Sequence, residues 1–256
     1  MIKTITHRLL DCGIAGTGLA VLILATSPAN AQIPDEFKNL RVLDKNISKG
    51  QLMATMRSFA IGLGVRCQYC HVGEEGKPLS TFDFPSDEKA AKKKARIMIQ
   101  MVRAINGTHL PKIAPESDSL VKVRCVTCHR GITEPRMLQD VLAGVYAKKG
   151  IEATLAKYNE LKERYYGGFT YDFGEGVLNE FAMQLASREK KVDDALRLLR
   201  LNESNFPRSA MTHYLLGEAY LLKQDREQAR KHFEKSLDIN PDNRRAKARL
   251  RQLSKQ

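Results

Sequence analysis

The chain has 256 residues and a net charge of +13, with 42 Lys and Arg against 29 Asp and Glu. That length gives room for two modest domains beyond a targeting segment. Trp is absent and aromatic residues make up 7%, too few for side chains alone to give the N-terminal half a full core.

The first 31 residues read as a secretory signal peptide. Lys3 and Arg8 form a short basic region, residues 13–25 are apolar and uncharged, and Ala29-Asn30-Ala31 places small residues before a cleavage point at Gln32. The apolar run is too short to span a bilayer comfortably. No cysteine lies at a lipidation position near the cleavage point, and there is no twin arginine, so the general secretory route is expected. An uncleaved anchor is the other reading of this segment. Removal of residues 1–31 leaves about 225 residues and a charge of about +12. The expected address is the bacterial periplasm. There the positive charge suits an acidic protein partner or an anionic membrane surface, and no nucleic-acid partner is expected.

Ser48-Lys-Gly-Gln51 has the pattern of a capping box and predicts a helix start. Leu52, Met56, Phe59 and Leu63 follow on one helical face. Gly62 and Gly64 end the helix, and Val65-Arg66 lead into Cys67-Gln-Tyr-Cys70-His71. A second helix is predicted from near Ser86 through Ala90, Ile97, Met98, Met101 and Ile105, stopped by Asn106-Gly107. A loop with Pro111 and Pro115 then leads to Cys125-Val-Thr-Cys128-His129.

Cys-x-x-Cys-His is the attachment pattern of c-type haem. Two thiols three residues apart reach the two vinyl groups of one porphyrin, and the next residue, histidine, becomes an iron ligand. Two Cys-x-x-Cys pairs could instead build one four-thiolate zinc site, redox-active pairs or structural disulfides. None of these requires a histidine directly after the second cysteine, and here both pairs have one. Of five cysteines, Cys12 lies in the signal segment and the other four are all inside the motifs. The expectation is therefore two covalently bound haem c groups, on Cys67 and Cys70 and on Cys125 and Cys128, with His71 and His129 on the irons. Each iron needs a sixth ligand. Met53 and Met56 on the first helix and Met98 and Met101 on the second are candidates, because thioether is a standard partner of His in c-type cytochromes. Spacing alone reads each as core filling, a common use of Met.

Three stretches carry a resemblance. Leu63-Gly-Val-Arg-Cys-Gln-Tyr-Cys-His-Val-Gly73, Ile99-Gln-Met-Val-Arg-Ala-Ile-Asn106 and Val121-Lys-Val-Arg-Cys-Val-Thr-Cys-His-Arg-Gly131 resemble the helix-plus-motif units of the cytochrome c subunit of photosynthetic reaction centres. The resemblance covers roughly residues 40–136. It implies Met56 as the ligand opposite His71 and Met101 as the ligand opposite His129. The family's full subunit has four haems and this chain has two motifs, which implies a two-haem relative serving another periplasmic electron chain. His109 lies earlier than the family's bis-histidine position and reads as a surface loop histidine.

The second half contains an internal repeat. Ala195 and Ala229 are 34 residues apart, as are Pro207 and Pro241. The clearer copy, Ala210 to Asn243, has Leu216-Gly217, Ala219-Tyr220, Ala229, Phe233 and Pro241 and resembles the tetratricopeptide repeat. A weaker copy, Gly176 to Ser209, has Met183 in the glycine's place. Residues 137–166 predict two helices broken at Lys149-Gly150, a degenerate hairpin, with a loop at 167–174. Arg244 to Leu253 reads as a basic helix capping the stack. The predicted fold is all-α: a signal peptide at 1–31, a dihaem c-type cytochrome domain at 32–136, a helical hairpin and linker at 137–175, and a helical-repeat, tetratricopeptide-like stack at 176–256. The expected function is a periplasmic carrier of electrons between soluble or membrane-bound redox proteins, without catalysis, with the repeats docking a protein partner. The alternatives are a dihaem peroxidase-type enzyme, for which no acid–base constellation stands out, and a haem-containing scaffold or sensor. The Lys92-Lys93-Lys94 run beside Arg96 reads as a solvated helix face or as a docking patch for an acidic partner.

Overall fold

The computed structural model describes residues 33–113 and 122–255; the expected signal segment and Pro115 lie outside them. The described residues are helical with no strand among them, apart from one isolated bridge between Val72 and Asp83. None of their helices is long and apolar enough to cross a membrane.

Helix α1 (Lys49–Leu63) starts at the expected capping box. The Ser48 hydroxyl accepts from the Gln51 amide at 3.3 Å, and the Gln51 side chain accepts from the Ser48 amide at 3.2 Å. It ends at Gly64, in the left-handed region at φ 66°.

Helix α2 (Ala90–Ala104) differs from expectation at both ends. It begins after Ser86, because residues 84–87 are held in a turn by Asn39, Lys92 and Arg96. Asn106-Gly107 does not stop it: a π-turn (Ile105–His109) and α3 (Leu110–Ile113) carry the helix on. The Asn106 amide is engaged elsewhere, donating to the Val123 carbonyl and accepting from the Val123 amide, both at 2.8 Å. It therefore does not compete with its own backbone, which is how Asn usually ends helices. His109 is exposed, as expected, but sits in this π-turn and not in a loop.

After α4 (Cys125–His129), α5 (Leu138–Tyr165) bends at Gly150, whose φ of 74° is not helical. This is the predicted break. The repeats follow as α6 (Glu175–Ser187), α7 (Val192–Asn205), α8 (Ala210–Leu222) and α9 (Arg226–Ile239), capped by α10 (Arg244–Leu253). Each packs on its neighbour in sequence.

One apolar core runs through α5 to α8, and a second joins α9 and α10. Leu138, Leu142, Tyr158 and Leu161 of α5 belong to the same core as Phe181, Leu185 and Leu198, so residues 137–175 are built into the stack. In contrast, the described residues before 137 bury only Leu52 and Phe82 among large apolar side chains. The repeat's small residue has a visible reason. A Cβ on Gly217 would overlap the Phe233 ring. In the first copy the corresponding positions are Met183 and Leu199, so a larger residue on one helix accompanies a smaller one on the other. The two halves of the chain are joined where the Thr170 hydroxyl donates to the Arg130 carbonyl at 2.7 Å.

Candidate haem-attachment sites

Both Cys-x-x-Cys-His stretches fold as single helical turns. Cys67–Tyr69 is a 3-10 turn in which the Cys70 and His71 amides donate to the Cys67 carbonyl at 3.2 and 3.0 Å. Cys125–His129 is a short α-helix, with the Arg130 amide donating to the Val126 carbonyl at 3.1 Å. The residues before the turns, Arg66 and Arg124, are extended. Positions i, i+3 and i+4 of a helical turn share a face. Each motif therefore projects two thiols and one imidazole to the same side.

The four cysteines are unpaired thiols. Burial pushes the Cys70 and Cys125 thiols above their ordinary value. Among the described residues, the four sulfurs are not gathered into one group able to share an ion. That removes the geometry a four-thiolate zinc site needs.

The two imidazoles are prepared differently. His129 is buried, and its Nδ1 lies 3.0 Å from the Ile132 carbonyl oxygen. A carbonyl only accepts, so Nδ1 carries the proton and Nε2 keeps its lone pair, the arrangement of a metal-ligating histidine. His71 Nδ1 is buried without a hydrogen-bond partner, and its ring meets Phe84 edge-on at 5.0 Å. Burial, then the ammonium of Lys92, hold its pKa below the ordinary imidazole value, with Arg96 and Lys89 adding to the effect against the Phe84 backbone. His71 is thereby favoured in the neutral form that a metal ligand requires.

The motifs are brought together by glycines. Gly62, in the last turn of α1, is buried, and a Cβ there would lie 3.1 Å from both the Cys125 Cβ and the Val126 amide nitrogen. The Gly131 amide donates to the Gly62 carbonyl at 2.9 Å. A Cβ on Gly64 would overlap the Gly131 carbonyl. The second motif thus rests on the helix end that leads into the first. Sequence reasoning took Gly62 and Gly64 only as terminators. The available signal was a glycine two positions after each motif histidine, Gly73 and Gly131. Gly73 lies against the Phe82 ring, which leaves no room for a Cβ.

The candidate axial methionines lie on α1 and α2. Met53, Met56 and Met98 are partly buried, and Met101 is 43% exposed. No residue of α2 is buried, and Ile97 on it is 65% exposed. Two thiols, a neutral imidazole and a helix bearing thioethers on an uncovered apolar face form a donor set that fits one c-type haem at each motif.

The photosynthetic reaction centre cytochrome C subunit family matches residues 14–179, well over half of the chain. The chain belongs to that family. The match runs beyond residue 136, through α5 and into α6, consistent with the core that α5 shares with the repeats. A tetratricopeptide repeat matches residues 210–243, the bounds of the clearer sequence copy. No curated protein matches the chain. Among solved structures, the first tetratricopeptide domain of human RPAP3 is 19% identical with a TM-score of 0.33, covering 46% of this chain and 87% of that one. The first such domain of Spaghetti (RPAP3), bound to the HSP90 peptide SRMEEVD, gives the same identity and score over 46% and 88%. The chain is a cytochrome of the reaction centre subunit family joined to a tetratricopeptide module.

One further group was not legible as a unit. Asp87 pairs with Arg96 at 2.8 Å, Arg41 at 3.1 Å and Lys92 at 3.4 Å, and accepts from Asn39 at 3.0 Å. Lys92 also donates to the carbonyls of Phe84, Pro85 and Ser86. The side chains of Lys92 and Arg96 are only 12% and 14% exposed. Of the basic run read as a solvated face or a docking patch, only Lys93 and Lys94 face solvent freely.

Proposed function

We propose that the chain is a periplasmic dihaem c-type cytochrome that carries electrons between redox proteins and uses its repeats to dock a protein partner. Cys67 and Cys70 hold one haem and Cys125 and Cys128 the other, with His71 and Met56 on the first iron and His129 and Met101 on the second. Bound haem c would supply a one-electron iron couple, and a thioether together with an imidazole on each iron would leave no open position for a substrate. The observation that carries this reading is the pair of one-turn Cys-x-x-Cys-His helices, the second held by Gly62, Gly64 and Gly131 against the end of the helix that leads into the first.

The chain's own residues contribute orientation and charge. The Ile132 carbonyl fixes the His129 ring. Lys89, Lys92 and Arg96 place positive charge near His71. The excess of basic residues favours encounter with an acidic partner. Support for a docking role of the repeats is the match to a repeat class whose stacked helices present an extended binding surface. Oxidised and reduced optical spectra test the reading. Low-spin haem spectra with no carbon monoxide binding by the native reduced protein support a carrier, whereas rapid carbon monoxide binding or peroxidase turnover supports the enzyme.

A further inference from the structure

Glu203 on α7, His213 on α8 and His232 on α9 converge across the seam between the two repeats. The Nδ1 atoms of the two histidines are 3.3 Å apart, and a Glu203 carboxylate oxygen lies 3.5 Å from His213 Nδ1. The three ligand atoms all lie within 4.8 Å of one another. Both histidines are buried, each 4% exposed, while Glu203 keeps 26% of its side chain in solvent.

Three features separate this cluster from ordinary packing. The facing Nδ1 atoms can share only one proton, so one of the two must present a lone pair to the other. The His232 ring is also locked in orientation. His232 stacks on Tyr220 at 5.5 Å and on His213 at 5.6 Å, and Arg200 donates to the Tyr220 hydroxyl at 2.7 Å. Finally, the repeat itself does not require these residues. One repeat earlier, the positions of His213 and His232 are held by Asn179 and Leu198.

We propose that Glu203, His213 and His232 bind a divalent transition-metal ion of the zinc class, each of three consecutive helices supplying one ligand. Zinc–nitrogen bonds of about 2.0–2.1 Å place neighbouring ligands of a tetrahedron about 3.3–3.4 Å apart. The His213–His232 edge has that length and the His213–Glu203 edge is slightly longer. Glu203, the most exposed of the three, is the ligand free to close the remaining edge and opens the fourth position to water. Arg200 works against the ion, since it pairs with the other Glu203 oxygen at 3.0 Å.

The test is calorimetric titration of the full-length chain with Zn2+, any free thiol being alkylated so that the cysteines cannot contribute. The expected result is one ion per chain and a raised melting temperature. His232→Leu, which copies the first repeat, should weaken binding by more than the roughly 10–100-fold typical of losing an outer-sphere partner. Glu203→Gln, at a partly exposed position that leaves the core intact, should weaken it by at least about tenfold if a ligand matters more than an average outer partner. No binding to the wild-type chain, or equal binding to the wild type and Glu203→Gln, overturns the proposal. Either result leaves the haem reading untouched, because all three residues lie outside the cytochrome match.

Discussion

Gly64 and Gly131 meet where the end of α1 supports the second haem motif, and both have positive φ, 66° and 84°. Gly64→Ala combines a left-handed backbone penalty of about 1–2 kcal/mol with overlap against a fixed carbonyl. It should lower the unfolding free energy by more than about 2 kcal/mol, judged from that penalty plus the overlap. Gly50, in the first turn of α1 with open space around it, gives the opposite sign. Gly50→Ala should stabilise by about 0.5–1 kcal/mol. Denaturant titration of the two variants checks both, and equal midpoints would remove the close-approach argument. The proposed iron-ligating methionines are tested by spectroscopy. Met56→Ala should abolish about half of the thioether-to-iron charge-transfer absorption, and Met56→His should lower one reduction potential while leaving the other nearly fixed, as expected for replacing thioether with imidazole. An intact band in Met56→Ala would move the assignment to Met53, one turn earlier on the same helix.

Helix α2 is fastened to the N-terminal segment by Asp87, whose carboxyl is held well below the usual carboxylate range by Arg96 first and Asn39 second. A lowered folded value stabilises the protein above the unfolded value of about 3.9, and that stabilisation is lost as pH falls toward the folded value. Asp87→Asn should therefore melt lower than wild type at pH 7, with the gap narrowing below about pH 4 as the unfolded-state carboxyl protonates. A gap that is constant with pH would show that the charge is irrelevant. This fastening was not legible beforehand, because Asn39, Arg41, Asp87, Lys92 and Arg96 belong to separate segments that only folding brings together. The capping box at Ser48, the break at Gly150 and the 34-residue repeat were legible, because each is set by neighbours in sequence or by a fixed period. In the repeats, Gly217→Ala should cost about 1–3 kcal/mol by overpacking against Phe233. Adding Phe233→Leu, which copies the Leu199 position of the first repeat, should recover part of it, with a coupling of about 0.5–3 kcal/mol. Additive losses in the double variant would mean that the two positions do not share one space.

The two halves of the chain solve the burial problem differently. Residues 138–253 form two side-chain cores, with Leu142, Leu178, Leu185, Leu198 and Leu216 fully buried in the larger. The described residues before 137 instead arrange thiols, imidazoles and thioether-bearing helices around glycine contacts, with two large apolar side chains buried among them. This contrast was anticipated from the scarcity of aromatic residues and from the two motifs. The Thr170–Arg130 bond was not legible, because it forms between a loop residue and the turn after the second motif, 40 positions apart. The central claim is that the first half is completed by two covalent haems. The mass of the denatured, full-length chain, produced in a host that matures c-type cytochromes, tests it most directly. The account predicts a polypeptide carrying two haem additions, falling to one in Cys67→Ser/Cys70→Ser and in Cys125→Ser/Cys128→Ser. A polypeptide without haem, or one carrying a single haem that survives both double substitutions, would contradict it.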